Sequence, residues 1–297
     1  MAATSIFFAA PASAQVLPWE IAVAEIEAGR IRNLAERLTK QNLLYQLHLG
    51  NVRMGALEET AAQMDRVVET LRVGSPSYAI PPPWTPALRG QIASVEDAWE
   101  DVRSVALADR YRFVARDFAP RVNRAVDPLL LRYFDDLSSK LISESETLID
   151  LYHEECRKTN LGVCPTARTS GYAAMIIERA TKQTVYLVAG IHPKENRAGL
   201  GETLEAYRAI RRANDENPFF AAALDPKRGV SATAAGELLS SLRKDWDALA
   251  VEFRILAAGD ERNFDLRRML EIQARLVNKV ERLTAALVRY ASSTYGS

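Results

Sequence analysis

The sequence predicts an all-α protein built as two tandem four-helix bundles. Apolar residues recur at three- and four-residue steps through most of the 297-residue chain, and no stretch alternates as a half-buried strand does. Proline and glycine gather between these stretches and mark the loops. The third observation is a repeat. AGRIRNLAERLTKQNLLY, residues 28–45, returns as SGYAAMIIERATKQTVYL, residues 170–187. At a shift of 142 the copies share Gly29/Gly171, Glu36/Glu178, Arg37/Arg179, Thr39/Thr181, Lys40/Lys182 and Gln41/Gln183. Five of these six identities fall inside E-R-x-T-K-Q. A period this long signifies a duplicated domain, not a solenoid.

The elements follow in order. Residues 1–14 read as a signal peptide: Ile6 to Ala10 is a short apolar core, and Ala12-Ser13-Ala14 is an A-x-A cleavage site. The basic segment that should precede the core is missing, which reads as a truncated start. The expectation is an exported chain beginning at Gln15, and a periplasmic one in a Gram-negative source. No later segment approaches the roughly 20 apolar residues that span a bilayer.

The first bundle is expected over 15–160. Its opening helix starts at Trp19, with Ile21, Ala24, Ala28, Ile31, Leu34 and Leu38 on one stripe, and stops near Gly50 and Gly55. A second helix is expected over 56–72. The proline-rich stretch Gly74 to Pro86 is a loop. Helices at 87–108 and from about Val122 to Cys156 complete the set. The segment Cys156 to Pro165 breaks the pattern and is read as the domain boundary. The second bundle, 165–297, repeats the plan with helices at 169–191, 198–213, 232–257 and 264–292. Glu202-Thr203 echoes Glu59-Thr60, and Trp246 stands where Trp99 stood.

Composition narrows function. Lys plus Arg and Asp plus Glu both number 38, so the formal charge is zero. That disfavours a general nucleic-acid binder, whose affinity needs excess basic charge.

The shared motif has two readings. Glu36 to Lys40 and Glu178 to Lys182 are i,i+4 pairs in the favourable order, worth about 0.3–0.5 kcal/mol each on a solvated helix face. The other reading is an anion site. Arg30, Arg32, Arg37 and Lys40 crowd one helix beside the bare backbone of Gly29, and arginine presents a planar fork that fits oxyanions.

A-G-x-x-R-x-x-x-x-R-x-x-K resembles the opening helix of the sensor domains of NarX-like nitrate/nitrite-sensing kinases and PilJ-like type IV pilus chemotaxis transducers. Ala28, Gly29, Arg32 and Arg37 match the kinase form; Arg30, Leu34 and Lys40 also match the transducer form. The tryptophan of the third helix resembles Trp99 and Trp246. The resemblance implies four-helix bundles outside the cytoplasmic membrane, with Arg32 holding a small anion such as nitrate or nitrite across a homodimer. Gly29, Arg30 and Arg37 are its companions. The second copy departs, with Ala174 in the place of Arg32 and Tyr172 in that of Arg30. The relatives continue into membrane helices and signalling regions that this chain lacks. The expected function is therefore a non-enzymatic, sensor-type ligand-binding protein acting through a membrane-bound signalling partner. The rival is a structural or protein-interaction module without a small ligand.

Other candidates are weaker. Cys156 and Cys164, eight apart, are expected as a disulfide in an exported chain, worth roughly 2–3 kcal/mol. His153 with Cys156 lacks a second cluster at zinc spacing, so no metal is expected. His48 and His192 are expected at helix ends, and Asp135-Asp136 on a helix surface. No nucleophile elbow, P-loop or dinucleotide fingerprint occurs, and no cofactor is expected. Trp99 and Trp246 are expected in the core, and Trp84 as an exposed ring.

Overall fold

The computed structural model describes residues 16–49, 52–108, 127–159, 162–260 and 264–295. The signal-peptide segment, Gly50 and the start of the fourth helix near Val122 lie outside them. The fold is all-α. Its helices are α1 (Pro18–Leu47), α2 (Met54–Val73), α3 (Pro86–Ala106), α4 (Pro128–Arg157), α5 (Val163–Val188), α6 (Pro193–Asp215), the short α7 (Pro218–Ala223), α8 (Val230–Ala257) and α9 (Leu266–Tyr295). No strand occurs among the described residues; Ser75 and Ile80 form an isolated bridge.

Helix starts follow local chemistry. Proline sits in the first turn of α1, α3, α4, α6 and α7, where its missing N–H costs nothing. Thr85 accepts from Leu88 N at 3.1 Å, and Asp127 from Leu129 N at 2.9 Å, which caps α3 and α4. The repeat extends to the helix ends. At the end of α1, Leu49 N donates to Leu44 O at 2.8 Å; at the end of α5, Ile191 N donates to Tyr186 O at 2.8 Å. Both pairs lie 142 apart. The left-handed residue in this turn is His48 (φ 54°) in the first copy and Gly190 (φ 72°) in the second. His192 is the left-handed N-cap of α6.

α1 is the axis. It lies along α5, its most extensive neighbour, and also packs on α4 and α2; α3 closes on α4 and α2. α5 in turn packs on α6 and α9, and α8 on α9 and α6. Ile31, Leu38, Met64, Val95, Trp99, Phe134 and Leu148 belong to one apolar cluster, which continues into α5 through Val163, Cys164 and Val185. A second cluster gathers Met175, Ile177, Leu204, Trp246, Phe253 and Leu276.

Several expectations need correcting. α5 begins at Val163, six residues before the expected start, so Cys164 and Pro165 are helical. Proline in a first turn does not break a helix. Trp84 is half-buried, its ring centroid 5.8 Å from that of Tyr152. Asp135 is not a plain surface residue: it accepts from the Tyr186 hydroxyl at 2.7 Å, and burial raises its pKa. Trp99 and Trp246 are buried; Trp99 Nε1 donates to Asp65 at 2.8 Å, and Trp246 stacks on Tyr207.

Candidate functional site

The two copies of the repeated stretch pack against each other, parallel and in register. Gly29 and Gly171 mark the closest approach: a Cβ on Gly29 would lie 3.2 Å from Gly171 Cα, and one on Gly171 would lie 3.3 Å from Gly29 Cα. Two turns on, the motif charges cross between the helices. Glu178 receives Arg37 Nε at 2.9 Å and Lys40 Nζ. Glu36 receives Arg179 Nε at 2.8 Å and Lys182 Nζ at 2.6 Å. Each carboxylate of one copy thus takes the Arg and Lys of the other, about a local two-fold. This is the isologous geometry of a symmetric dimer, formed within one chain.

Both carboxylates are at most 2% exposed. Burial pushes their pKa values up, but the paired cations outweigh it and hold both below the ordinary carboxylate range. Burial also lowers the Lys40 pKa, which the Glu178 charge only partly restores. The i,i+4 pairs expected on a solvated face are therefore replaced by buried pairs between helices. In-register parallel copies put opposite charges closer across the seam than along either helix.

The remaining shared residues are also accounted for. Thr39 and Thr181 hydroxyls donate to the carbonyls four residues back, at 2.9 and 2.8 Å. Gln41 Oε1 accepts from Thr60 at 2.8 Å, and Gln183 Oε1 from Thr203 at 3.0 Å. All six identities therefore serve helix pairing or local packing.

Of the expected ligand residues, Gly29 packs against Gly171 and also lines a cavity of about 590 Å³, and Arg37 is engaged by Glu178, with Gln63 and Glu281 further away at 3.4 and 3.5 Å. Arg30 is half-exposed and pairs with Glu27 at 2.8 Å. Arg32 differs. Its side chain is buried, its Nε has no hydrogen-bond partner, and the carboxylate that comes within 4 Å of it, Glu146, stands at 3.7 Å, beyond hydrogen-bond length. Its guanidinium lies over the Tyr172 ring, 5.2 Å from the centroid. It faces a cavity of about 350 Å³ shared with Arg168, Tyr172, Thr169, Glu146 and Asp150. Arg168 is held by Asp150 at 2.7 Å. Burial, reinforced by Arg168 and Arg179, pushes the Arg32 pKa down; Glu146 pulls the other way.

The sequence reading did not anticipate Arg168, Tyr172 or Glu146, which reach Arg32 from α5 and α4. The signal was present: a motif carrying both charge signs within one turn can pair with a parallel copy of itself. His153 Nδ1 meets the buried Glu25 at 2.9 Å, and burial raises the Glu25 pKa. Among the described residues no cluster of three or more His, Cys, Asp or Glu could hold a metal, and no helix is long and apolar enough to cross a membrane. Cys156 and Cys164 are disulfide-bonded, with Cα atoms 5.8 Å apart, and tie the end of α4 to the start of α5.

No protein-family model, no curated protein and no solved structure matches the chain.

Proposed function

We propose that the chain is an exported, non-enzymatic ligand-binding protein of sensor type, with Arg32 as the contact for a small oxyanion or carboxylate. One observation carries the reading: a buried guanidinium with an unpartnered Nε faces a cavity whose nearest acid is too far to hydrogen-bond. A buried charge left this way costs free energy that an incoming anion recovers. Glu146 is 49% exposed and can swing out to admit it. The likeness of Ala28, Gly29 and Arg32 to the sensor-domain motif points the same way. So does the contact pattern, which fits two four-helix units, α1–α4 and α5, α6, α8 and α9. The second copy then takes the place that a second subunit holds in a homodimer, and any signal passes to a membrane-bound partner.

Thermal-shift titration with nitrate, nitrite and acetate tests the reading. Wild type should gain melting temperature with at least one of them, and Arg32→Ala should not. Glu146→Gln removes the competing acid and should tighten binding about fivefold, the scale of one exposed ion pair. No response in wild type, or an equal one in Arg32→Ala, rejects it. The rival reading, a structural or interaction module, draws on the six shared residues that all serve packing. A protein silent to every anion that still captures a membrane partner favours that rival.

A further inference from the structure

The local two-fold that pairs α1 with α5 should generate two equivalent cavities, and it does. The Arg32 cavity is bounded by α1, α5 and α4. Its counterpart, bounded by α1, α5 and α9 and also by Ser77 to Ile80 between α2 and α3, is larger, about 590 Å³. The repeat shift relates their linings: Arg168, Thr169 and Tyr172 of the first correspond to Ile26, Glu27 and Arg30 of the second, and Arg32 corresponds to Ala174. Arg32 and Arg168 of the first thus stand where Ala174 and Ile26 line the second, which opens space there, while Thr169 and Tyr172 give way to the paired Glu27 and Arg30.

We propose that this second cavity is a ligand site for a small uncharged amphipathic molecule, an apolar ring or branched body carrying a hydroxyl or amide. Its volume falls within the roughly 300–1,000 Å³ typical of small-molecule sites. Trp19, Val23, Ile26, Val280 and Val288 supply apolar walls. Asn33 is 3% exposed and also lines the cavity, and its Oδ1 is buried without a hydrogen-bond partner. Trp19 Nε1 is likewise buried and unpartnered. An unpartnered acceptor and an unpartnered donor, on two residues that line the cavity beside its apolar walls, suit a group that both gives and takes a hydrogen bond. Of the acids that line the cavity, Glu27 pairs with Arg30 at 2.8 Å, and Glu281 is half-exposed to solvent with Arg37 at 3.5 Å. Arg289 is exposed at the rim. An uncharged ligand therefore fits better than an ion.

Isothermal titration of the full chain with benzamide, and with benzoate as its charged counterpart, tests the site. Wild type should bind benzamide saturably and benzoate more weakly. Ala174→Leu and Val288→Trp fill the cavity from opposite walls and should each weaken benzamide at least tenfold. Val288 is half-exposed, so that variant keeps the test valid where Ala174→Leu fails to fold. Asn33→Leu should weaken benzamide about fivefold, the scale of one neutral hydrogen bond. No saturable heat in wild type, unchanged affinity in a folded cavity-filling variant, or tighter binding of benzoate overturns the proposal.

Discussion

Glu178 and Glu36 are the residues on which the α1–α5 seam depends. Each is buried between an arginine and a lysine of the other copy. Truncating one leaves two cations without their counter-charge, which in buried pairs costs about 3–5 kcal/mol. Glu178→Ala should show that loss by chemical denaturation, whereas Arg72→Ala, in an exposed pair with Glu69, should leave the denaturation midpoint where it is in wild type. The pH dependence has a definite sign. Both carboxylates are held below their unfolded value of about 4.3, so their contribution is complete above that pH and is lost as pH falls through their lowered pKa values. Glu25 acts oppositely, because burial raises its pKa and its cost is relieved on acidification. The stability gap between wild type and Glu36→Gln/Glu178→Gln should therefore close below about pH 4, followed by thermal melts across pH 3 to 7. At this scale the sequence showed which residues matter but not their partners. Glu36 and Lys40 look paired on a helical wheel, and only a parallel neighbour redirects them.

At the scale of the element, the glycine contact decides how close α1 and α5 come. A side chain on Gly29 meets the backbone of Gly171, which cannot rotate away. Gly29→Leu should cost about 1–3 kcal/mol or more by overpacking. Gly201, inside α6 with nothing within 4 Å of an added Cβ, is the control. Gly201→Ala should stabilise by roughly 0.5–1 kcal/mol through helix propensity alone. The disulfide between α4 and α5 closes a short loop, and removing it as Cys156→Ala/Cys164→Ala should cost about 2–3 kcal/mol. Helix positions were legible because apolar periodicity and proline clusters are local signals. The start of α5 was not, because Pro165 reads as a breaker until it is known to lie in a first turn.

For the whole molecule, the duplication explains more than any single motif. It sets two helices side by side, repeats their C-terminal turns, and leaves two cavities that have diverged in size and lining. The all-α class was legible from periodicity. That the two copies are each other's main partners was not, because a repeat records common origin and says nothing about contact. For the same reason the shared residues drew attention to themselves as a site, whereas the unshared Arg32 and Ala174 separate the two cavities. Double-mutant cycles on Glu36 by urea denaturation test the central claim most directly. The cross-helix pair Glu36–Lys182 should show a coupling of about 1–3 kcal/mol, and the within-helix pair Glu36–Lys40 no more than about 0.5 kcal/mol. The reverse order would return the motif to a solvated helix face and contradict the pairing of the two copies.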